Sequence, residues 1–416
     1  GQLSNVGELG NIGTLVGVSA HGGTTPEQIS YSVQELYGHY YIAVIAHGPA
    51  AVGTSFTLTA DVAPPVDPYA PITIPIPTYP TPLDNPAVNT LILFNGSRLD
   101  QLYGAGTITS TGLLTKIQDL KNNSNVNGEA INLDSYPDIV SAYALWDTQP
   151  GNPLAANFVA GNIKSLLYGL APAYPNVKYL VIVGDDRVIP HRRIQDLALV
   201  ANERHYASIA YTPVLSGSLG LRYFLTDDYY AGLLPLPYAG REVYLPQIAL
   251  GRLVESPAEI VNAINGFLAQ PVVSPNDALV TGYDFLIDQA SAISTTFSAQ
   301  GVTLFTLINN TWTAADFRSY FFPVTRDLNS LNSHFEHHRF FPNGAEYVYA
   351  TEVASSFSGS VIFTVGCHSG LNVPDADQPD PTQATDWAQA FLREQGTFIG
   401  NTGYGYGDSD LVAYSE

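Results

Sequence analysis

Cysteine and methionine are almost absent from this 416-residue chain, which contains one cysteine and no methionine. A single cysteine excludes an internal disulfide framework. The lack of methionine extends to position 1, as we expect of a chain that begins at a processed end. No apolar run reaches the roughly 18 residues of a membrane-spanning helix, so we predict no membrane span.

Positive charge is also scarce, because 16 lysines and arginines stand against 37 acidic residues and the net charge is −21. This balance argues against nucleic acid and anionic membranes as partners. Charged residues make up only 13% of the chain, whereas tyrosine (26), glycine (36) and proline (29) are plentiful. That composition suits an exported protein, and we expect a secreted or cell-surface location.

Three segments follow one another along the sequence. Residues 1–62 form a β-rich accessory segment, in which the runs 39–46 and 55–62 are predicted strands of a small β-sandwich. Residues 63–87 form a proline-rich linker, because proline disfavours both helix interiors and central strands. Residues 88–416 alternate between predicted strands and helices.

The alternation in 88–416 predicts an α/β domain with a doubly wound, mostly parallel sheet, divided into subdomains at about 88–270 and 271–416. The predicted strands are 89–95, 128–134, 177–185, 244–253, 277–285, 328–334, 359–366 and 396–403. The predicted helices are 112–122, 156–170, 256–270 and 386–395. Ser256, Pro257 and Glu259 carry the N-cap, N1 and N3 signals of the third of these helices.

The one cysteine, Cys367, directly follows the predicted strand 359–366. Ligands and chemistry collect at the carboxyl ends of parallel strands, and a nucleophilic thiol needs a base or cation beside it. His334 closes another predicted strand 33 positions earlier, with His337 and His338 close behind. Two adjacent parallel strands would place His334 beside Cys367, and His337 is the alternative base.

Two other interpretations of these residues stay open. A lone cysteine after a strand is most often a buried small hydrophobe. The cluster of His334, His337 and His338 could instead bind zinc, but no second ligand cluster accompanies it, so a metal is the weaker account.

The order strand–His, crossover, strand–Cys resembles the caspase-like cysteine peptidases, and within them the gingipain family of extracellular endopeptidases. Further stretches resemble that family across roughly 88–416. They are "YLVIVGDDRVIPHRR" (179–193), "FLTDDYYAG" (224–232), "IALGRLVESPAEIVNAI" (248–264), "GCHSG" (366–370) and "GTFIGNTGYGYGDSD" (396–410).

The resemblance implies a secreted cysteine endopeptidase, made as a zymogen, that cleaves protein or peptide substrates. Cys367 would attack the scissile carbonyl and His334 would protonate the leaving amine. The backbone N–H groups of Cys367 and Phe335 would form the oxyanion hole. No cofactor is required, and a structural calcium ion is compatible with an acidic exported peptidase.

Substrate specificity is implied by the same resemblance. Asp227 matches the family's acidic residue at the base of the primary pocket, or Asp228 does if the register shifts by one residue. A carboxylate there predicts arginine, or less strongly lysine, at P1. Tyr404 or Tyr406 would form a wall of that pocket.

Two departures from the family favour an alternative function. In the family, a glycine follows the catalytic histidine, whereas in this chain Phe335 follows His334. Family members also continue beyond the last strand, which implies a cleaved C-terminal or pro-segment chain of the same precursor as a partner. The alternative is a non-catalytic, gingipain-like surface or assembly protein that binds protein partners.

Overall fold

The structure is a computed structural model that describes residues 26, 42, 44, 55–61, 85–196, 198, 201–210, 212–232, 235–238, 241–342, 346–375, 380 and 383–406. The chain divides into two compact units, Gly1–Ile72 and Thr73–Glu416. In the first unit, residues 55–61 are exposed and lie outside any described strand. The other predicted strand, and most of the linker 63–87, lie outside the described residues. The β-sandwich and the linker therefore stay predictions.

The described part of the second unit contains strands interspersed with helices along the chain. The strands are β1 Thr90–Phe94, β2 Gly128–Asn132, β3 Tyr179–Val183, β4 Arg192–Gln195, β5 Tyr223–Thr226, β6 Pro235–Tyr238, β7 Arg241–Tyr244, β8 Ala249–Leu253, β9 Asp277–Gly282, β10 Thr303–Ile308, β11 Leu328–Asn332, β12 His334–Glu336, β13 Arg339–Phe341, β14 Val348–Tyr349, β15 Val361–Phe363 and β16 Thr397–Ile399. The α-helices are α1 Gly96–Tyr103, α2 Thr107–Ser110, α3 Leu113–Asn122, α4 Pro137–Asp147, α5 Pro153–Leu170, α6 Pro213–Gly220, α7 Asp228–Ala231, α8 Pro257–Ala269, α9 Ile287–Ala299, α10 Ala314–Phe321 and α11 Trp387–Arg393.

Two parallel sheets organise these elements. The first has the order β2-β1-β3-β8 and the second the order β10-β9-β11-β15-β16, with every pairing parallel. In each sheet, the strand that comes first in the chain (β1 or β9) has the second strand on one side and the third on the other. This is the doubly wound arrangement. The predicted parallel α/β class is confirmed, but its strands divide between two sheets. The two sheets fall within the ranges 88–270 and 271–416.

Local sequence explains the elements that were predicted well. All five residues of β1 (TLILF) are buried, as expected of a parallel strand covered on both faces. Helix α8 begins at the predicted capping box, where the Ser256 hydroxyl accepts the N–H of Glu259 and the Glu259 carboxylate accepts the N–H of Ser256. The predicted strand 244–253 is shorter than expected, since β8 begins only at Ala249. Pro246, which cannot donate to a ladder, lies in the gap between β7 and β8.

The second sheet carries an aromatic core that supports the loops at its carboxyl edge. Side chains of α10, α11 and the connection between β11 and β15 form this cluster; its aromatic members include Phe317, Phe321, Phe335, Phe340, Phe357, Trp387 and Phe391. The connection between β11 and β15 contains the small antiparallel sheet β12-β13-β14, which no sequence pattern predicted. None of the helices in the described ranges is long and apolar enough to cross a membrane.

Candidate active site

The ends of β11 and β15 bring the predicted dyad to one edge of the second sheet. These strands are neighbours in a parallel ladder in which Leu328 pairs with Val361 and Ser330 pairs with Phe363. His334 lies six residues after Leu328, and Cys367 lies six residues after Val361. Because the carboxyl ends of parallel strands meet at the same edge, the two residues begin from equivalent positions of adjacent strands.

The loops that carry the two residues are in direct contact. A Cβ built on Gly366, the residue before Cys367, would lie 2.6 Å from the Cβ of Phe335, the residue after His334. Phe335 is itself buried and stacks on Phe340, with 5.0 Å between ring centroids. The absence of a side chain at 366 therefore allows these two loops to approach each other.

The His334 side chain faces the strand on the other side of β11. Its Nε2 lies 3.6 Å from Oδ2 of Asp284, which follows β9, and its ring meets Phe285 edge-on. The side chain is 46% exposed. Asp284 was not singled out in the sequence, although it lies within the predicted strand 277–285 and so at the edge where His334 was expected.

The Cys367 sulfur is half-buried and has a backbone partner, because the thiol donates a hydrogen bond to the carbonyl of Gly405 over 3.6 Å. Burial raises the pKa of the thiol above its usual value, and the negative charge of Glu203 raises it further. In this conformation the sulfur is therefore held as a neutral thiol rather than as the nucleophilic thiolate.

The alternative base, His337, is fully buried. Its Nδ1 lies 2.6 Å from the hydroxyl of Tyr206, and the same hydroxyl oxygen accepts the backbone N–H of His337 over 2.9 Å. Burial, with the neighbouring His338 and His368, holds the pKa of His337 well below its usual value. His337 is thus a neutral imidazole fixed by Tyr206.

Glu203 and Tyr206 contact His368, the residue after Cys367, and no sequence pattern singled them out. The Tyr206 ring stacks on His368, with centroids 3.5 Å apart and planes 3° from parallel. Nε2 of His368 lies 2.8 Å from Oε2 of Glu203. Both residues belong to 201–210, which reaches the site as irregular chain and a short 3₁₀ turn and so carries no periodic signal.

The two predicted pocket tyrosines do lie beside the cysteine. Tyr404 and Tyr406 flank Gly405, the partner of the thiol. Tyr404 packs edge-on against His368, with centroids 4.5 Å apart, and burial raises the pKa of Tyr404 to about 12. Tyr406 is exposed, and its hydroxyl donates to the carbonyl of Ala201 over 3.1 Å.

The predicted pocket aspartate has an internal partner. Asp227 accepts hydrogen bonds from Arg252, at 2.9 Å from Nε and 2.6 Å from Nη2, and lies 3.5 Å from Nε2 of His191. Burial opposes ionisation, but Arg252 outweighs it and lowers the pKa of Asp227. A substrate arginine would have to displace Arg252, which argues against Asp227 as the base of a P1 pocket. Asp228 is exposed at the start of α7.

Metal binding has no geometric support in the described ranges, where no group of three or more His, Cys, Asp or Glu side chains is arranged to hold an ion. His334, His337 and His338, the alternative zinc site of the sequence, lie within these ranges and form no such group. A structural calcium ion stays a prediction.

Comparisons with known proteins returned solved structures only. No family model matches the chain, and no curated protein matches it. The crystal structure of the Arg specific cysteine proteinase gingipain R is 16% identical, with a TM-score of 0.47, and the match covers 78% of this chain and 65% of that one. The complex of Porphyromonas gingivalis RgpB pro- and mature domains is 16% identical, with a TM-score of 0.43, and the match covers 76% of this chain and 64% of that one. A structure described only as a protease is 13% identical, with a TM-score of 0.42, and the match covers 77% of this chain and 61% of that one.

The chain therefore spans less than two thirds of the length of each of these structures. Gingipain is also the family that the sequence motifs resemble. Because the identities are low and the TM-scores lie below 0.5, function has to be argued from the residues of this chain.

Proposed function

We propose that the protein is a cysteine endopeptidase in which Cys367 is the nucleophile and His334 the general base. The observation that supports this most directly is the parallel pairing of β11 with β15, which starts the loops of the two residues from equivalent positions. Their contact through Phe335 and Gly366 ties these loops together.

The chemistry assigns one task to each group. His334 takes the proton of the Cys367 thiol, the sulfur adds to the scissile carbonyl, and the imidazolium returns the proton to the leaving amine. Water then hydrolyses the thioester and regenerates the thiol. The N–H groups of Cys367 and Phe335 would stabilise the oxyanion. Asp284, beside Nε2 of His334, would orient the imidazole and leave Nδ1 for the thiol.

In the present conformation the thiol donates to the carbonyl of Gly405 and the His334 imidazole lies beside Asp284, so the reaction requires the two side chains to turn toward each other. We do not propose a preference for arginine or lysine at P1, since Arg252 donates hydrogen bonds to both carboxylate oxygens of Asp227. A secreted or cell-surface location, supported by the composition, and a processed precursor with a pro-segment partner complete the proposal.

Cleavage of a fluorogenic peptide library scanned at P1 tests this function. We expect cleavage by the wild-type chain, none by Cys367→Ala, and a loss of about 10²-fold or more in His334→Gln, which removes the base. His205→Gln is the matched control, because His205 is exposed and should leave the rate unchanged. Loss of cleavage in His337→Gln but not in His334→Gln would transfer the role of base to His337.

The half-buried, protonated thiol favours one second candidate, a non-catalytic protein of the same fold that binds protein partners. Absence of cleavage of every peptide, together with a thiol that resists alkylation until the protein unfolds, would support this candidate.

A further inference from the structure

Glu203 binds both of the loops that bury the Cys367 sulfur. We call residues 364–370 the cysteine loop and residues 401–406 the tyrosine loop. Oε2 of Glu203 lies 2.8 Å from Nε2 of His368 in the cysteine loop, and Oε1 accepts the N–H of Tyr404 in the tyrosine loop over 2.9 Å. The Glu203 side chain is only 4% exposed, so water competes little for these bonds.

The position of Glu203 is fixed from its own side. Its backbone N–H donates to Oδ2 of Asp196 over 2.8 Å, and it begins a short 3₁₀ turn whose N-cap is Asn202. One turn later, Tyr206 lies flat on the ring of His368. The carboxylate therefore projects from a hydrogen-bonded turn, while the loops that it binds belong to the other half of the domain.

Two glycines allow the loops to close around the sulfur. A Cβ on Gly403 would lie 2.5 Å from Oε1 of Glu203, and a Cβ on Gly405 would overlap the carbonyl of Val365. Backbone bonds join the loops directly, because His368 N–H donates to Gly403 and Gly370 N–H donates to Asn401, both over 2.7 Å. The thiol bond to Gly405 belongs to this closed arrangement.

Glu203 also acts on the thiol electrostatically. Its negative charge, added to burial, disfavours the thiolate and raises the pKa of Cys367. The other titratable groups around the sulfur are Tyr206, Tyr404 and Tyr406 from facing segments, with His337 and Glu336 behind Tyr206, and His368, which pairs directly with Glu203. Tyr206 and Tyr404 have raised pKa values, and His337 has a lowered one, so near neutral pH these three groups are uncharged.

We propose that Glu203 is an autoinhibitory latch: by binding the cysteine loop and the tyrosine loop together, it keeps the Cys367 thiol closed and lowers its reactivity. Release of the latch would free the sulfur from Gly405. This inference goes beyond the proposed function, because it concerns the reactivity of the thiol whether or not the protein cleaves peptides.

Alkylation of the full chain tests the latch. Cys367 is the only cysteine, so uptake of iodoacetamide, followed by intact mass from pH 6 to 10, reports this thiol alone. We expect Glu203→Gln to alkylate about threefold to tenfold faster than wild type at pH 7 and to lower the pH midpoint, because the variant removes the charge. Glu203→Ala should be at least as fast, since it also removes both hydrogen bonds.

A matched control separates the latch from a general effect of losing a glutamate. Glu352 likewise bonds a side chain, that of Arg318, and a backbone N–H, that of Tyr349, and Glu352→Gln should alkylate like wild type. Tyr406→Phe removes the Tyr406 hydroxyl, which donates a hydrogen bond from the tyrosine loop to the carbonyl of Ala201. The variant should accelerate alkylation, and it changes an exposed side chain only.

Near-ultraviolet circular dichroism and the melting temperature show which variants remain folded. If Glu203→Ala unfolds, Glu203→Gln and Tyr406→Phe decide the question. Wild-type rates and midpoints in folded Glu203→Gln and Tyr406→Phe would overturn the latch. A reactive thiol in Glu203→Gln that still cleaves no peptide would support the latch and count against the peptidase, so the two failures are distinguishable.

Discussion

Phe335 lies against the backbone of Gly366, so the residue after the proposed base contacts the residue before the proposed nucleophile. A side chain at 366 would occupy the space that the Phe335 ring fills. The ring is buried in the aromatic cluster of the second sheet, which leaves it little room to move. The two loops of the candidate site are therefore positioned by the core rather than by each other's polar groups.

Gly366→Ala should consequently destabilise the protein by about 1–3 kcal/mol, the usual cost of forcing extra atoms into a packed core. Urea unfolding measures this free energy. Gly251→Ala is the control, because a Cβ at Gly251 would have no atom within 4 Å, and its effect should stay within about 0.5 kcal/mol. Equal stabilities of the two variants would show that the Phe335 contact is not close-packed in solution.

Tyr206→Phe tests the buried bond to His337. The variant removes the hydroxyl that pairs with Nδ1 and the N–H of His337, and it leaves both unpaired away from water. The expected loss is about 1–3 kcal/mol in the free energy of unfolding. Tyr320→Phe, at a tyrosine that is 42% exposed, should be close to neutral. A neutral Tyr206→Phe would mean that water reaches His337.

Asp227→Asn distinguishes a structural aspartate from a specificity residue. Breaking the buried pair with Arg252 should cost about 3–5 kcal/mol. Thermal unfolding gives the stability, and the P1 library gives the preference of any cleavage, which should not change. Asp228→Asn, at the adjacent exposed position, should be nearly neutral in both measurements. A folded Asp227→Asn that selectively loses cleavage after arginine would restore the predicted pocket.

Sequence patterns predicted the strands and helix ends that depend on residues close together along the chain. The apolar run of β1 and the capping box at Ser256 are local signals, and both elements form where they were expected. The division into two sheets was not read from the sequence, since a strand pattern does not say which strand it will pair with. The small sheet after β11 was also missed, because β14 has only two residues and β12 and β13 have three each.

The candidate site was predicted only in part for the same reason. The strand ends of His334 and Cys367 follow from chain order, but the partners of key side chains lie far away in sequence. Glu203 meets His368 across 165 positions, and Asp227 meets Arg252 across 25. No spacing rule links such residues, so the latch and the internal ion pair emerge only from the tertiary structure.

Glu255 makes the stability of the folded protein depend on pH in a direction that can be predicted. This buried carboxylate accepts the N–H of Asp375 over 3.1 Å, and Nη2 of Arg187 lies 3.9 Å from its Oε1. Burial, with the charges of Asp185, Asp375 and Asp386, raises the pKa of Glu255 to about 9. The group is therefore protonated in the folded protein at neutral pH.

The unfolded chain releases the Glu255 proton near pH 4.5, and the folded protein releases it only near pH 9. Folded protein thus binds more protons between these values, and the stability that Glu255 contributes below pH 4.5 is lost as the pH rises toward 9. Glu255→Gln mimics the protonated form, so it should match wild type near pH 5 and be more stable by at least about 1 kcal/mol at pH 8. Melting temperatures from pH 5 to 9 measure the difference.

Glu352→Gln is the control of opposite sign, because the hydrogen bond from Arg318 outweighs burial and lowers the pKa of Glu352. A Glu255→Gln variant that is less stable than wild type at pH 8 would mean that Glu255 is ionised and held by Arg187.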